Sequence, residues 1–458
     1  MKLKSAVFLV FCFAFSCNDF LEVDEPASQI TSDIVYDSDD TALSALAGVY
    51  SEMMGNALFA GGGLAGISLI SGMSSDEFIN HSDDIDRSEF YTNSLQATNS
   101  LVSSFFWEPM YKYIYYSNSI LTGLENSNVS KTVSDRIEGE AKFIRAFCYF
   151  YLVNLFGEVP IVTSIDYRQN NTVKRSAVYE VYDQIIADLL QAESLLSEDY
   201  PTAERVRANK YTVKALLARV YLYQRDWVKA TEQSSAVIES GTYALDTDLD
   251  VVFLNTSQEA IWQLKPVVAG FNTLDGNVFI LEQTPSNVSI SESLKNAFDD
   301  GDRRFDHWVG SFNDGQDTYY FPFKYKIKVG EEPFVEYSMV LRLAEQYLIR
   351  AEARWHEGDI DGAIADLDVI RERAGLLTVK EAFPGILDDQ IIDLIDKERQ
   401  VELFSEWGHR WLDLGRRETI DEVIGAYKPD VWQVTDRLYP IPQLERERNR
   451  NLGQNDGY

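Results

Sequence analysis

The stretch from Leu341 to Gly375 limits what this chain can fold into more than any other. Ala344, Tyr347, Leu348, Ala351 and Trp355 recur at spacings of three and four, which lays one apolar stripe along a helix. His356-Glu357-Gly358 interrupts the pattern, and Asp359 is a residue that caps a helix N-terminus well. A second stripe follows in Ile360, Ala363, Ile364, Leu367 and Ile370. Arg371 and Arg373 stand where cations suit the helix dipole, and Gly375 is placed to end the helix. Ala351 and Ala363 are small enough to let the two helices approach closely. A hairpin of this kind cannot bury its apolar face alone, so others must stack on it.

Lys214 to Gly241 repeats the plan. Asp226, Ala218 and Ala230 stand where Asp359, Ala351 and Ala363 do, at one constant offset of 133 residues. A looser copy runs from Ile137 to Phe156 and, after an insertion, from Ser176 to Leu196, with Val178, Val181, Tyr182, Ile185, Leu189 and Ala192 as its stripe. These are tetratricopeptide-like hairpins separated by long insertions, so a regular solenoid is excluded. The expectation is a mostly α-helical globule with few short strands, in which a stiff scaffold carries long loops. Residues 37–250 form its N-terminal helical region with two hairpins. Residues 251–458 form its C-terminal region, with a loop insertion at 266–317 and the hairpin at 341–375.

The formal net charge of −32 over 458 residues repels nucleic acid and anionic lipid headgroups, so neither is an expected partner. Lys2 and Lys4 precede an apolar run from Ala6 to Phe15, too short to span a bilayer as a mature helix. This reads as a secretory signal over residues 1–16. Ser16-Cys17 follows, a small residue before a cysteine, as in bacterial lipoprotein processing, with Cys17 the acylated first residue. Residues 17–36 are acidic and weakly patterned and read as a tether.

Further signals are local. Asp40 to Met54, Leu101 to Leu124 and Asp388 to Trp411 have helical spacing, with Pro109 set against a straight start to the second. Ala260 to Lys265 and Tyr325 to Val329 alternate like strands. Pro266 to Asp317 reads as loop. Tyr439-Pro440-Ile441-Pro442 must be extended.

Four segments together carry a resemblance: GEAKFIRAFCYFYLVNLFGEVPI (Gly139 to Ile161), LAEQYLIRAEA in the organising hairpin, KERQVELFSEWGHRWLDLGR (Lys397 to Arg416), and YPIPQLERERNRNLGQNDGY at the end. In this order, after a lipoprotein signal, they resemble the SusD/RagB family of outer-membrane nutrient-uptake lipoproteins. The resemblance implies a cell-surface protein that is not an enzyme. It implies binding of oligosaccharides (or, in some members, peptides) and a partner, a SusC-like TonB-dependent β-barrel transporter. It implies ligand contacts from inserted loops, and no cofactor.

Sugars offer C–H faces to aromatic rings and hydroxyls to polar edges. Two loop clusters have the residue types required. One holds Asp76, His81, Asp83, Arg87, Tyr91 and Asn93; the other holds Phe271, Asn272, Trp308, Tyr319 and Tyr320. Trp107, Trp227, Trp355, Trp407 and Trp411 lie on helices and read as core. Glu398 and Glu402, four apart on one helix face, have the spacing of a retaining glycosidase pair, which keeps a hydrolase open as an alternative. The stronger reading is a buried ion network with Arg399, Arg410 or Arg416 as partners. An envelope scaffold that binds proteins is the other alternative. Gly61 to Gly66 fits G-x-G-x-x-G without a preceding strand and reads as a flexible loop. The four histidines (His81, His307, His356, His409) are scattered, so no metal site is expected. Asp299 to Arg304 reads as a turn whose arginines pair with its own carboxylates rather than a calcium site.

Overall fold

The computed structural model describes residues 35–55 and 58–458. The signal segment, Cys17 and the tether up to residue 34 therefore lie outside the described residues.

The N-terminal part runs through helices α1 (Asp39–Gly55), α2 (Ile67–Ser74), α3 (Ile85–Tyr91) and α4 (Glu108–Leu124). Then come α5 (Lys131–Phe156) and α6 (Val178–Leu195), the looser hairpin, and α7 (Lys210–Tyr223) and α8 (Trp227–Ile238), the second copy. Short helices α9 (Leu274–Phe279), α10 (Glu292–Ala297) and α11 (Arg303–Trp308) follow. The organising hairpin is α12 (Leu343–Glu357) with α13 (Ile360–Arg373). After it come α14 (Asp388–Leu403), α15 (His409–Arg416) and α16 (Ile420–Tyr427).

From α4 to α8 each helix packs on the next, and the stack continues through α12 and α13 to α14. The signals that define the hairpins act as expected. The Asp226 and Asp359 carboxylates accept from the backbone N–H groups of Lys229 and Gly362. Gly358 ends α12 in the left-handed region at φ 83°. Ala218, Ala230, Ala351 and Ala363 are all fully buried. Buried ion pairs tie the helices crosswise: Arg145 to Asp188, Arg219 to Glu345 and Arg350 to Asp366, each with an N–O distance of 2.6 Å.

Three two-stranded antiparallel ladders brace the loops: β1 (Phe78–Asn80) with β3 (Val288–Ile290), β2 (Ala260–Leu264) with β6 (Ser338–Arg342), and β4 (Val309–Asn313) with β5 (Thr318–Pro322). The β2 strand matches the alternation read from sequence. Tyr325 to Val329 does not form a strand. There the Glu336 carboxylate accepts from the backbone N–H groups of Lys326 and Ile327, satisfying them without a ladder. The insertion at 266–317 is also not plain loop, since it contains α9 to α11, β3 and β4.

Two helix expectations change. The Asp388 to Trp411 run is broken between α14 and α15, where Ser405, Trp407 and Gly408 take positive φ. The turn is held from outside, by Ser405 N–H on Glu77 Oε1 (3.1 Å) and Trp407 N–H on Ser68 Oγ (3.1 Å). In the Leu101 to Leu124 run, residues 102–107 form a π turn before the regular helix, with Pro109 in its first turn.

The glycine-rich segment is a packed corner rather than a flexible loop. Gly62 has φ 80°, and a Cβ there would fall 2.7 Å from Asp275 Oδ1. Gly63 N–H donates to that same oxygen at 3.0 Å. The following residues, Ile67 to Ser74, form α2 and are buried.

Candidate functional site

The paired carboxylates are structural. Glu398 is 2% exposed and Glu402 is 0% exposed, so neither reaches a sugar in solvent. Glu398 Oε1 lies 2.5 Å from Arg304 Nη1, and its Oε2 lies 3.3 Å from Arg371 Nη1. Glu402 pairs with Arg342 (2.6 Å), Arg304 (2.9 Å) and Arg373. Burial opposes ionisation of Glu402, but Arg373, Arg342 and Arg304 outweigh it and hold the carboxyl well below the usual range.

The expected arginine partners were wrong in detail. Arg399 pairs with Asp413 at 2.8 Å, and Arg416 pairs with Glu352 and Asp413. Arg410 grips Asp76 through two bonds of 2.7 and 2.8 Å. The true partners of Glu398 and Glu402 come from α11, β6 and α13, which sequence spacing along one helix cannot reveal. Asp302 does pair with Arg304 as the turn reading expects, at 2.7 Å.

Four residues of the expected ligand clusters are withdrawn into the protein. Trp308 is fully buried, and its indole N–H donates to Leu249 O at 2.9 Å. Lys324 Nζ and the Arg342 guanidinium lie over its ring. Asp76 is 1% exposed and committed to Arg410 and Ser293. Asn93, at φ 50°, donates to Ser74 O at 3.1 Å. Asn272 is also buried and accepts from the backbone N–H groups of Val335 and Glu336. Phe271 is half-buried on the connection before α9.

His81, Arg87, Tyr319 and Tyr320 come together around the β1–β3 ladder. Register sets Ile79 opposite Ser289, and His81 N–H continues the ladder onto Asn287 O at 2.7 Å. Alternation therefore puts Ile79, His81, Asn287 and Ser289 on one face and buries Phe78 on the other. His81 Nε2 bonds Ser289 Oγ at 2.8 Å. The imidazole meets the Tyr319 ring edge to face, with centroids 5.7 Å apart. Arg87 donates to Asn287 Oδ1 at 3.3 Å, and Tyr320 lies under Lys295 Nζ at 4.9 Å.

Beside Ile79 opens a cleft of about 500 Å³, lined by Tyr91, Thr92, Glu292, Tyr427, Lys428 and Asp430 among others. Tyr427, Lys428 and Asp430 carried no sequence signal, because they reach the cleft from a turn more than 300 residues away along the chain. Lys428 Nζ donates to Met73 O, Ser74 O and Asn93 Oδ1, at 2.7, 3.1 and 2.9 Å, and lies over the Tyr91 ring. Burial pushes its pKa down to about 7. Burial also lowers His81 below the usual imidazole range, so it is mainly neutral at pH 7. Tyr91 is raised by burial, and Tyr427 is pushed up to about 12, so both stay as phenols.

The result is a ledge of partly exposed rings, from Tyr91 and Tyr427 past Ile79 to His81 and Tyr319, edged with amides, hydroxyls and carboxylates. Such a ledge can stack pyranose faces and hydrogen-bond hydroxyls. Its imidazole–hydroxyl contact, His81 with Ser289, has the hydroxyl on a buried residue, 3% exposed, rather than presented to a ligand. Elsewhere His307 meets Asp250 at 3.0 Å with Asp248 nearby, an exposed group whose Asp250 carboxylate also accepts from Lys326.

Comparison with known proteins fits this architecture. Residues 19–222 match a family described as starch-binding and associating with the outer membrane, and residues 310–458 match the SusD family. A SusD-like protein, P25, of Formosa agariphila is 25% identical over 100% of this chain and 99% of its own length. The starch-binding protein SusD of Bacteroides thetaiotaomicron is 24% identical, covering 74% of this chain and 76% of its own. A laminarin-binding SusD-like protein of known structure superposes with a TM-score of 0.76 at 26% identity, over 92% of this chain and 100% of that one. The chain belongs to the SusD/RagB family. That is a family of carbohydrate-binding proteins. Among the described residues no helix is long and apolar enough to cross a membrane.

Proposed function

We propose that this protein is a non-catalytic cell-surface lipoprotein, anchored through acylated Cys17, that captures an oligosaccharide and passes it to a SusC-like TonB-dependent transporter. The observation that carries this reading is the ring ledge of Tyr91, His81 and Tyr319, brought together from the end of α3, the end of β1 and β5 in a chain of this family. The laminarin-binding neighbour makes a glucan a sensible first ligand. Arg87 and Tyr320 belong to the same proposed surface region, through Asn287 and Lys295. Asp76 and Asn93 support it from within, through Ser293 and Lys428, while Trp308 packs in the interior away from it. Burial of Glu398 and Glu402 among arginines argues for capture rather than hydrolysis.

Each stacked ring contributes on the order of 1 kcal/mol beyond its area, which is about fivefold in affinity. Tyr319→Ala should therefore weaken retardation in polysaccharide gels by about that factor, and His81→Ala with Tyr319→Ala by more. Unchanged mobility of the double variant in a gel that retards the parent protein would remove this ledge from the binding site.

A further inference from the structure

We propose that the ledge selects uncharged glycans and rejects uronate-bearing or sulfated ones. This rests on the capture reading above and adds the charge class of the ligand.

The inference comes from how the basic groups around the ledge are used. A lysine ammonium has three N–H donors. All three of Lys428 point at Met73 O, Ser74 O and Asn93 Oδ1, so none is left for a ligand anion. Lys295 Nζ is shared between the two oxygens of Glu292, at 3.1 and 3.3 Å. Arg87 is bound to Asn287 Oδ1 and lies 3.6 Å from Asp84. His81 bonds Ser289 and carries little positive charge.

The acidic groups are differently disposed. Glu292 and Asp430 line the cleft at the Tyr91 end. At the other end Asp314 and Asp317 form the β4–β5 turn next to Tyr319, and after burial their charges also favour the neutral phenol. A sulfate or carboxylate on a bound sugar would meet the Asp430, Asp314 and Asp317 carboxylates, with the Lys428 ammonium spent on internal oxygens and the Lys295 ammonium held by Glu292. Like charges brought together at a binding surface are disfavoured, and the net charge of −32 adds to the repulsion at long range. Neutral hydroxyls lose nothing, since carboxylates and amides accept from them.

The test is affinity electrophoresis and calorimetry of the full chain. One panel holds neutral glucans (laminarin included), mannans and xylans. The other holds alginate, a sulfated galactan and chitosan oligosaccharides. At low ionic strength a neutral glycan should bind at least about tenfold more tightly than any anionic one. Its affinity should change little up to about 0.5 M salt. Glu292→Lys with Asp430→Lys should confer salt-sensitive retardation by alginate. An anionic glycan bound by the parent protein as tightly as any neutral one, and released by salt, overturns the assignment, as does a preference for chitosan. Absence of binding in both panels overturns the capture reading itself, which is a different result from the wrong charge class.

Discussion

Glu402 shows how much one side chain can be asked to hold. It accepts from arginines on β6, α11 and α13 and is itself on α14, so four elements meet at one carboxylate. Removing one partner from a buried ion group leaves uncompensated charge, at a cost of about 3–5 kcal/mol. Glu402→Gln should lower stability by about that amount, read as a lower urea midpoint. A variant that unfolds with the parent would show that the arginines are satisfied without it. Glu398 and Glu402 lie buried among arginines, but those arginines are not the ones near them in the chain. Arg399, Arg410 and Arg416 are close in the chain, whereas Arg304, Arg342, Arg371 and Arg373 are brought in by the fold.

Elements divide by the range of the forces that shape them. The hairpins α7–α8 and α12–α13 were legible because their stripe, cap and small contact residues lie within about thirty residues. The α14–α15 break was not, because Glu77 and Ser68 impose it from more than 300 residues away. The glycine corner before α2 is similar. It fits G-x-G-x-x-G, but the need for glycine arises from Asp275, which occupies the space a Cβ would take. Gly62→Ala must adopt positive φ and displace that carboxylate, so it should cost about 1–3 kcal/mol. Thermal unfolding measures this. An unchanged midpoint would mean that the corner relaxes freely and is the flexible loop the motif first suggests.

On the scale of the whole molecule, the stack of helices serves to fix the ladders, and the β1–β3 ladder sets the ledge. Attachment to the membrane is a separate matter. On the proposed reading, two or more acyl chains on Cys17 would give stable anchoring, at roughly 0.8 kcal/mol per buried methylene. Cys17→Ala should move the protein from the membrane fraction to the soluble envelope fraction without changing its binding in a polysaccharide gel. Retention of the variant in membranes would require another anchor.

The sequence by itself determined the stack: periodic apolar residues, alanines at the contacts and aspartates at the caps are local instructions, and helix packing follows from them. It also marked His81, Arg87, Tyr91, Tyr319 and Tyr320 as residues of the right chemistry. Only the tertiary structure decided which rings face solvent. Trp308 has the same chemistry as Tyr319, but its ring is enclosed under Lys324 and Arg342 while Tyr319 stands at a ladder edge. Exposure is set by what packs over a side chain, and those atoms come from parts of the chain that no local pattern connects.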